Sequence, residues 1–281
     1  MNGADHSSAE IKHVKTNGAD FPFVEKGHGV PILLVHGSLC DFSMWSAQMD
    51  DMACKHRVIA LSRRYHWPNL LEEDPKDYTP QLHAADLVSF IRALKIQPVH
   101  LVGHSYGAFI CALVAKDHPE LIRTLTLIEP PMFTLLSAHS ERPPFITFAS
   151  NLFEKGEDHA AVKLFVEGVH GVGSFERLSP AIQKHMLLNA REMRAELRMP
   201  PDQHLCAFSC DDAQQIEAPV LLVKGENSPL FFHTILDKLH ACVPASSEIE
   251  ISAASHGVQF ENPEAFNEAL LKFLVGVENT A

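Results

Sequence analysis

The sequence predicts an α/β protein with a mostly parallel, twisted sheet flanked by helices, and two observations carry this prediction. Short apolar runs alternate with longer segments of helical periodicity, a pattern typical of right-handed β-α-β units. The apolar run Val99–Val102 leads directly into Gly-x-Ser-x-Gly at residues 103–107 and then into a helix-favouring segment. A buried strand that turns sharply into a helix holds the hydroxyl of Ser105 clear of the backbone, at the positive end of that helix. A chance Gly-x-Ser-x-Gly in a loop is the alternative interpretation.

Strands and helices alternate along the first 131 residues. The central strands are fully apolar runs, as expected where helices cover both faces of a sheet. Thr79 is placed to cap the helix that begins at Pro80. Predicted strands are 11–15, 21–24, 31–35, 57–61, 99–102 and 123–128, and predicted helices are 42–52, 80–95 and one from Ser105 to near His118.

Residues 132–216 have a different character, because helical periodicity replaces the strand-like runs and prolines interrupt it. Helices are predicted at 145–155, 160–169 and 180–196; beyond the segment, strands at 219–223 and 248–251 and helices at 230–242 and 263–275 resume the alternation. The sequence therefore predicts a core domain made of residues 1–131 and 217–281. We expect residues 132–216 to form a helical cap inserted beyond the carboxyl ends of the strands, where such sheets bind ligands.

Composition and charge bear on partners and location. A net charge of −12 disfavours nucleic acid and anionic membrane surfaces, and no apolar run is long enough to span a bilayer. The first ten residues lack the features of a signal peptide, so we expect a cytoplasmic protein that acts on a small-molecule substrate. Whether it forms a homodimer stays open.

The six cysteines are scattered without Cys-x-x-Cys pairs, and we expect reduced thiols. His204, Cys206 and Cys210 do not match a common zinc spacing. We therefore expect neither a metal nor a cofactor.

A serine hydroxyl becomes a good nucleophile only when a base takes its proton. His256 follows the last predicted strand and precedes the last predicted helix, where a Ser–acid–His order places the base. His240 lies within a helical pattern, and His233 comes too early in the chain. His256 is the predicted base, and a surface loop histidine is the alternative.

The acid that would orient His256 has two candidates. The usual position, in the loop after strand 219–223, holds Ser228 instead of the expected aspartate and leaves Glu226 nearby. Glu129 ends the strand before the cap, beside the strand that carries Ser105. We prefer Glu129 as the acid. The alternative interpretation of Glu129 is a solvated charge at the mouth of the cleft.

Two backbone amides should stabilise the oxyanion that forms when Ser105 attacks. Tyr106 supplies one, and the loop after strand 31–35 supplies the other through Ser38 or, second in preference, Leu39. The sequence also offers pocket-lining candidates, namely His36, Leu39, His66 and Trp67. For His36 we favour a structural role as a hydrogen-bonded histidine over a role as a second catalytic base. The segment 63–69 either contacts an anionic or aromatic group of the substrate or holds its own loop in place.

Together these motifs resemble the α/β-hydrolase superfamily over residues 20–276. The resemblance implies the α/β-hydrolase fold and a cap-bearing serine hydrolase of esterase or lactonase type. Some haloalkane dehalogenases of this superfamily carry the acid after the strand that precedes the cap, which supports Glu129. Serine in place of aspartate at position 105 argues against dehalogenase or epoxide hydrolase chemistry. Two departures stand out: residues 62–69 replace an Asp-x-Pro-Gly-x-Gly-x-Ser-like loop, and Ser228 replaces the expected aspartate.

The leading hypothesis is cleavage of a small, largely apolar ester or lactone through an acyl-enzyme on Ser105. Hydrolysis of a C–C bond by the same residues stays open. Hypotheses of other classes are a cofactor-free oxygenase that uses His256 as its base, and a ligand receptor that keeps the fold. Loss of ester turnover in Ser105→Ala would distinguish the two hydrolase hypotheses from the oxygenase and receptor hypotheses.

Overall fold

An eight-stranded sheet forms the centre of the computed structural model, which describes residues 10–69, 75, 77–136, 143–200 and 207–279. The strands are β1 (Lys12–Thr16), β2 (Ala19–Lys26), β3 (Val30–Val35), β4 (His56–Leu61), β5 (Val99–His104), β6 (Ile122–Ile128), β7 (Val220–Gly225) and β8 (Ser246–Ile251). Their order is β1-β2-β4-β3-β5-β6-β7-β8. β1 and β2 pair antiparallel, β2 also pairs antiparallel with β4, and the pairs from β4 to β8 are parallel. The predicted fold class is confirmed.

Helices cover both faces of this sheet, and others lie in the chain between β6 and β7. They are α1 (Ser46–Ala53), α2 (Pro80–Leu94), α3 (Tyr106–Asp117), α4 (Pro144–Glu154), α5 (Asp158–His170), α6 (Ser174–Arg177), α7 (Pro180–Leu188), α8 (Ala190–Arg198), α9 (Cys210–Ala213), α10 (Leu230–Cys242), α11 (Val258–Glu261) and α12 (Pro263–Glu278). Leu33 and Val35 of β3 join the core under α2 and α3, whereas Ile32 and Leu34 join the core under α1 and α12. This alternation explains why the β3 sequence is apolar throughout. No helix among the described residues is long and apolar enough to cross a lipid bilayer.

The turn between β5 and α3 depends on two glycines. A Cβ at Gly107 would lie 2.3 Å from the carbonyl oxygen of His36, and a Cβ at Gly103 would lie 2.6 Å from Cα of Ala108. Backbone atoms cannot move aside for such contacts. Ser105, between them, has φ +52° and ψ −124°, a strained conformation that the close crossing of β5, α3 and the β3 loop imposes.

The chain between β6 and β7 is helical, with α4 to α9 in the part that is described. The predicted helix 180–196 is in fact two helices, because the chain breaks at Asn189. The buried side chain of Asn189 accepts a hydrogen bond from the Trp67 N–H (2.9 Å) and donates one to Asp41 (3.3 Å). These bonds attach the break to the loops that follow β3 and β4.

The expectation that all six cysteines are reduced is wrong for two of them. Cys210 of α9 and Cys242 of α10 form a disulfide, with their Cα atoms 5.3 Å apart. The sequence did not reveal this pair, because the two residues are 32 positions apart and meet only when α9 packs beside the end of α10. Cys40, Cys54 and Cys111 are unpaired among the described residues. His204 and Cys206 lie outside the described residues.

We expect the fold to lose stability in mild acid because of six of the buried histidines among the described residues. Burial is the largest cause that lowers the pKa of each of them: His36, His66, His83, His100, His104 and His256. The pKa of His100 falls to about 4 and that of His104 to about 3. In the unfolded chain these pKa values return to about 6.5, so as pH falls below 6.5 the unfolded state binds protons that the folded state does not. Glu192, whose pKa burial raises to about 7, acts in the opposite direction, as do Glu129 and His185, whose pKa values are also raised in the folded protein.

The free energy of unfolding measured with urea should therefore be lower at pH 5 than at pH 7, with His100 alone accounting for about 2 kcal/mol of the loss. The difference between the two pH values should shrink in His100→Gln but not in His118→Gln, which alters a more exposed histidine. Equal stability of the wild type at both pH values would contradict this expectation.

Candidate active site

Ser105 and His256 meet at the carboxyl edge of the sheet. Ser105 immediately precedes α3, and its backbone N–H donates to the carbonyl oxygen of Ile128 at 2.8 Å. His256 lies in the loop between β8 and α11. Its Nε2 is 3.0 Å from Oγ of Ser105. Both side chains are buried, so this hydrogen bond is largely shielded from water.

Glu129 completes a chain of hydrogen bonds behind the histidine. It follows β6, and its Oε2 lies 2.7 Å from Nδ1 of His256. Its Oε1 accepts the Gly225 N–H at 2.8 Å, which fixes the carboxylate between the ends of β6 and β7. Because the carboxylate is an acceptor, Nδ1 of His256 carries the proton and Nε2 is left to accept from Ser105.

Burial sets the electrostatics of this pair. It lowers the pKa of His256 well below its ordinary value, and the nearby His170 acts in the same direction. The imidazole is therefore neutral at neutral pH and available as a base. Burial raises the pKa of Glu129, while the Gly225 N–H and the Ser228 hydroxyl favour its ionised form. Phe232 stacks on the imidazole with ring centres 4.3 Å apart, which restrains the orientation of the ring.

The two acid candidates lie in different places. The exposed Glu226 accepts a hydrogen bond from the Ala253 N–H at 2.7 Å, in the turn after β8. The buried Glu129 contacts His256 directly. Ser228, which stands where an aspartate was expected, is buried. The geometry therefore pairs His256 with Glu129.

Ser38 and Tyr106, the two proposed oxyanion donors, line one small cavity of about 30 Å³ together with Ser105. The N–H of Leu39 instead donates to Oε1 of Glu192 at 3.0 Å. This bond occupies the N–H of Leu39, the second candidate for an oxyanion donor. Ser38, the first candidate, lies at the cavity.

His36, His66 and Trp67 lie in the loops around this cavity without being among its wall residues. His36 donates from Nδ1 to the Gly37 carbonyl at 2.8 Å and accepts the Arg63 N–H at Nε2 at 2.9 Å. His66 contacts the Cys40 carbonyl oxygen at 2.7 Å and the Tyr78 hydroxyl at 3.0 Å. The Trp67 ring packs against Phe42. These contacts match the second interpretation of segment 63–69, in which it holds its own loop.

Arg63 belongs to the same network. Its guanidinium donates to the carbonyl oxygens of His36 at 3.1 Å and Gly37 at 3.2 Å. It also lies 5.1 Å from the centre of the Tyr106 ring. From the side of the core, Arg63 therefore stabilises the loop that contains Ser38.

Sequence reasoning missed Glu192 and Glu196 of α8, both 2% exposed. Ser38 Oγ is 2.9 Å from Oε1 and 2.8 Å from Oε2 of Glu196, and Glu196 lines the cavity at Ser105. The available signal was their spacing of four residues, which places both on one side of a helix next to the apolar Met193 and Leu197.

Comparisons with known proteins agree on a hydrolase fold. The model of a family described as "Alpha/beta hydrolase family" matches residues 32–269. A 2-(acetamidomethylene)succinate hydrolase of Mesorhizobium japonicum is 24% identical over 266 residues, covering 89% of this chain and 90% of the relative. Epoxide hydrolase 4 of Mus musculus is 24% identical and covers 93% of this chain and 78% of the relative.

A solved structure described as "Est816 as an N-Acyl homoserine lactone degrading enzyme" superposes with a TM-score of 0.76 at 24% identity. The match covers 93% of this chain and 100% of the other chain. At this level of identity the superposition shows a shared fold.

Proposed function

This chain belongs to the alpha/beta hydrolase family, and we propose that it is a serine hydrolase that cleaves a small, largely apolar ester or lactone through an acyl-enzyme. One observation carries the proposal. The Ser105 hydroxyl, the His256 imidazole and the Glu129 carboxylate form a continuous buried chain of hydrogen bonds, at 3.0 and 2.7 Å. Such a chain moves a proton away from a serine as it attacks a carbonyl carbon.

Each residue has one task in this mechanism. His256 takes the proton from Oγ of Ser105 through Nε2 while Oγ bonds to the carbonyl carbon. Glu129 stabilises the imidazolium that results, and the N–H groups of Ser38 and Tyr106 stabilise the oxyanion. When the tetrahedral intermediate collapses, His256 gives its proton to the leaving alkoxide. Water then repeats the sequence on the acyl-enzyme, releasing the acid and restoring Ser105.

The walls of the cavity support an apolar substrate. Most are hydrocarbon or aromatic side chains, from Pro131, Phe133, Phe145, Ile146, Phe165, Val169 and Phe232. Five of these seven lie in residues 132–216, which supports the proposal that this segment acts as a cap over the site. A serine at position 105 disfavours the chemistry named for the epoxide hydrolase relative, whereas the lactone-degrading structural neighbour supports ester or lactone cleavage.

The acyl-enzyme can be tested by pre-steady-state kinetics with p-nitrophenyl acetate and p-nitrophenyl butanoate. We expect a burst of p-nitrophenolate approaching one equivalent of enzyme, since acylation releases this good leaving group before the slower attack of water. A fluorophosphonate should label the peptide that contains Ser105 and abolish the burst. Absence of both burst and label, together with no turnover of either ester, would contradict the proposal.

A further inference from the structure

Two buried histidines and a glutamate meet at the amino edge of the sheet, whereas Ser105 lies at the carboxyl edge. His56 is the first residue of β4, His100 is the second residue of β5, and Glu278 ends α12. Nε2 of His56 and Nε2 of His100 lie 3.2 and 3.1 Å from one oxygen of Glu278, Oε1. In the part of the chain that the structure describes, no other three His, Cys, Asp or Glu side chains bring their ligand atoms within 4.8 Å of one another. Glu278 is 222 and 178 positions from the two histidines, so no local spacing in the sequence reveals the group.

The spacing of these atoms suits a tetrahedral metal ion. Zn²⁺ binds imidazole nitrogen and carboxylate oxygen at about 2.0–2.2 Å, so neighbouring ligand atoms of a tetrahedral site are about 3.4 Å apart. The two N···O distances of 3.2 and 3.1 Å are close to this value. In the metal-free protein these contacts are N–H···O hydrogen bonds, so the three side chains are held together before an ion binds. The Glu278 side chain is 27% exposed, and this opening admits water as a fourth ligand.

His100 and Glu278 have the protonation states that a metal ion needs. Burial lowers the pKa of His100 to about 4, so its ring is neutral at neutral pH. Although burial acts in the opposite direction, the two histidines lower the pKa of Glu278, which favours its carboxylate. Oγ1 of Thr124 lies 2.8 Å from Nδ1 of His100. Since a hydroxyl can donate or accept, Thr124 orients the ring both without a metal and with a metal at Nε2.

The position of Glu278 at the end of a helix favours a bound cation. Glu278 is the last residue of α12, and the last turn of this helix carries no basic residue. The carboxyl end of a helix has a partial negative charge, which disfavours a further negative charge there. A metal cation offsets this repulsion. The Arg123 guanidinium also acts on His100, and its positive charge reduces the attraction for a cation without cancelling the contribution of the Glu278 carboxylate.

We propose that His56, His100 and Glu278 form a binding site for a divalent transition metal ion, with Zn²⁺ as the expected occupant. Two imidazole nitrogens and one carboxylate suit Zn²⁺, whereas Mg²⁺ and Ca²⁺ prefer sites made of oxygen atoms. The ion joins the end of α12 to two central strands and stabilises the fold. This inference is independent of the proposed function, because the site lies at the opposite edge of the sheet from Ser105.

The test follows thermal unfolding of the untagged chain at neutral pH, after treatment with EDTA and dialysis, with and without added Zn²⁺. An ion that binds only the folded state raises the Tm. We expect saturating Zn²⁺ to raise it by about 5 °C or more, and Mg²⁺ or Ca²⁺ at the same concentration to raise it by less than about 1 °C. The comparison of stability at pH 5 and pH 7 is made in EDTA, so that it reports the metal-free protein.

Variants locate the bound ion through its Kd, measured by competition with a chromogenic chelator. Glu278→Gln and His100→Gln should each weaken Zn²⁺ binding by about tenfold or more, since loss of a ligand costs at least as much as loss of an outer partner. His118→Gln is the matched control, because it removes an exposed histidine that is also paired with a glutamate. Cys54→Ser removes an exposed thiol two positions from His56. Both controls should keep the wild-type Kd.

Two results would overturn the inference. One is a wild-type Tm that does not rise with Zn²⁺. The other is a Kd that is unchanged in Glu278→Gln, which is partly exposed and should fold, because Zn²⁺ would then be bound elsewhere. A loss of binding in His118→Gln or Cys54→Ser would identify that other place. Neither result bears on ester turnover at Ser105.

Discussion

Replacing Ser105 with alanine should lower kcat/KM for p-nitrophenyl butanoate by about 10,000-fold or more, leaving the fold intact. The reason is that Oγ of Ser105, 3.0 Å from Nε2 of His256, is the proposed nucleophile. Without it, only the oxyanion amides remain to give a small residual rate. Alanine keeps the Cβ that serine already places at φ +52°, so the turn before α3 should persist. Steady-state kinetics gives the rate, and circular dichroism gives the fold.

Ser150→Ala is the matched control for this variant. Ser150 lies on α4, and its hydroxyl donates to the Leu197 carbonyl oxygen at 3.5 Å. Its kcat/KM should stay within about twofold of the wild type, as is usual for a substitution outside the reacting groups. Ester turnover that survives in Ser105→Ala would contradict an acyl-enzyme on this residue and would favour chemistry driven by His256 alone.

Glu129→Gln should lower kcat by about 1,000-fold or more, because an amide cannot stabilise the imidazolium as a carboxylate does and can present its NH2 group to Nδ1 of His256. The substitution preserves the size of the side chain and an acceptor for the Gly225 N–H. KM should change little, since Glu129 is not part of the cavity wall.

Glu226→Gln is the control for the second acid candidate. Its carboxylate bonds to the Ala253 N–H, so its kcat should remain within about twofold of the wild-type value. The reverse result, a large loss in Glu226→Gln and none in Glu129→Gln, would assign the acid to the loop after β7. Measuring both variants on one ester decides between the two positions.

The positions of Ser105, Glu129 and His256 could be predicted because each follows a strand of a mostly parallel sheet. The carboxyl ends of parallel strands lie at one edge, so residues directly after β5 and β6 and in the loop after β8 come close together in space. Local patterns of two to seven residues were enough to find these strands. The fold class followed from the same patterns.

Features that depend on packing between distant segments could not be predicted. Glu196 meets Ser38 across 158 positions of sequence, and Cys210 meets Cys242 only through the packing of α9 on α10. The sequence left the role of segment 63–69 undecided, since basic and aromatic side chains suit both a pocket and a buried network. The choice between these two roles depends on the orientation of each side chain. That orientation is set by residues such as Tyr78 and Glu192, which lie outside the local sequence pattern.

Glu129 follows β6, and this has a consequence for how such a chain can change over evolution. Ser105 and Glu129 are separated by one β-α-β unit, so the pairing of β5 with β6 fixes their spacing. Residues 132–216 begin only after both are in place. Insertions, deletions or wholesale exchange in that segment therefore leave this spacing untouched and alter the walls of the cavity instead.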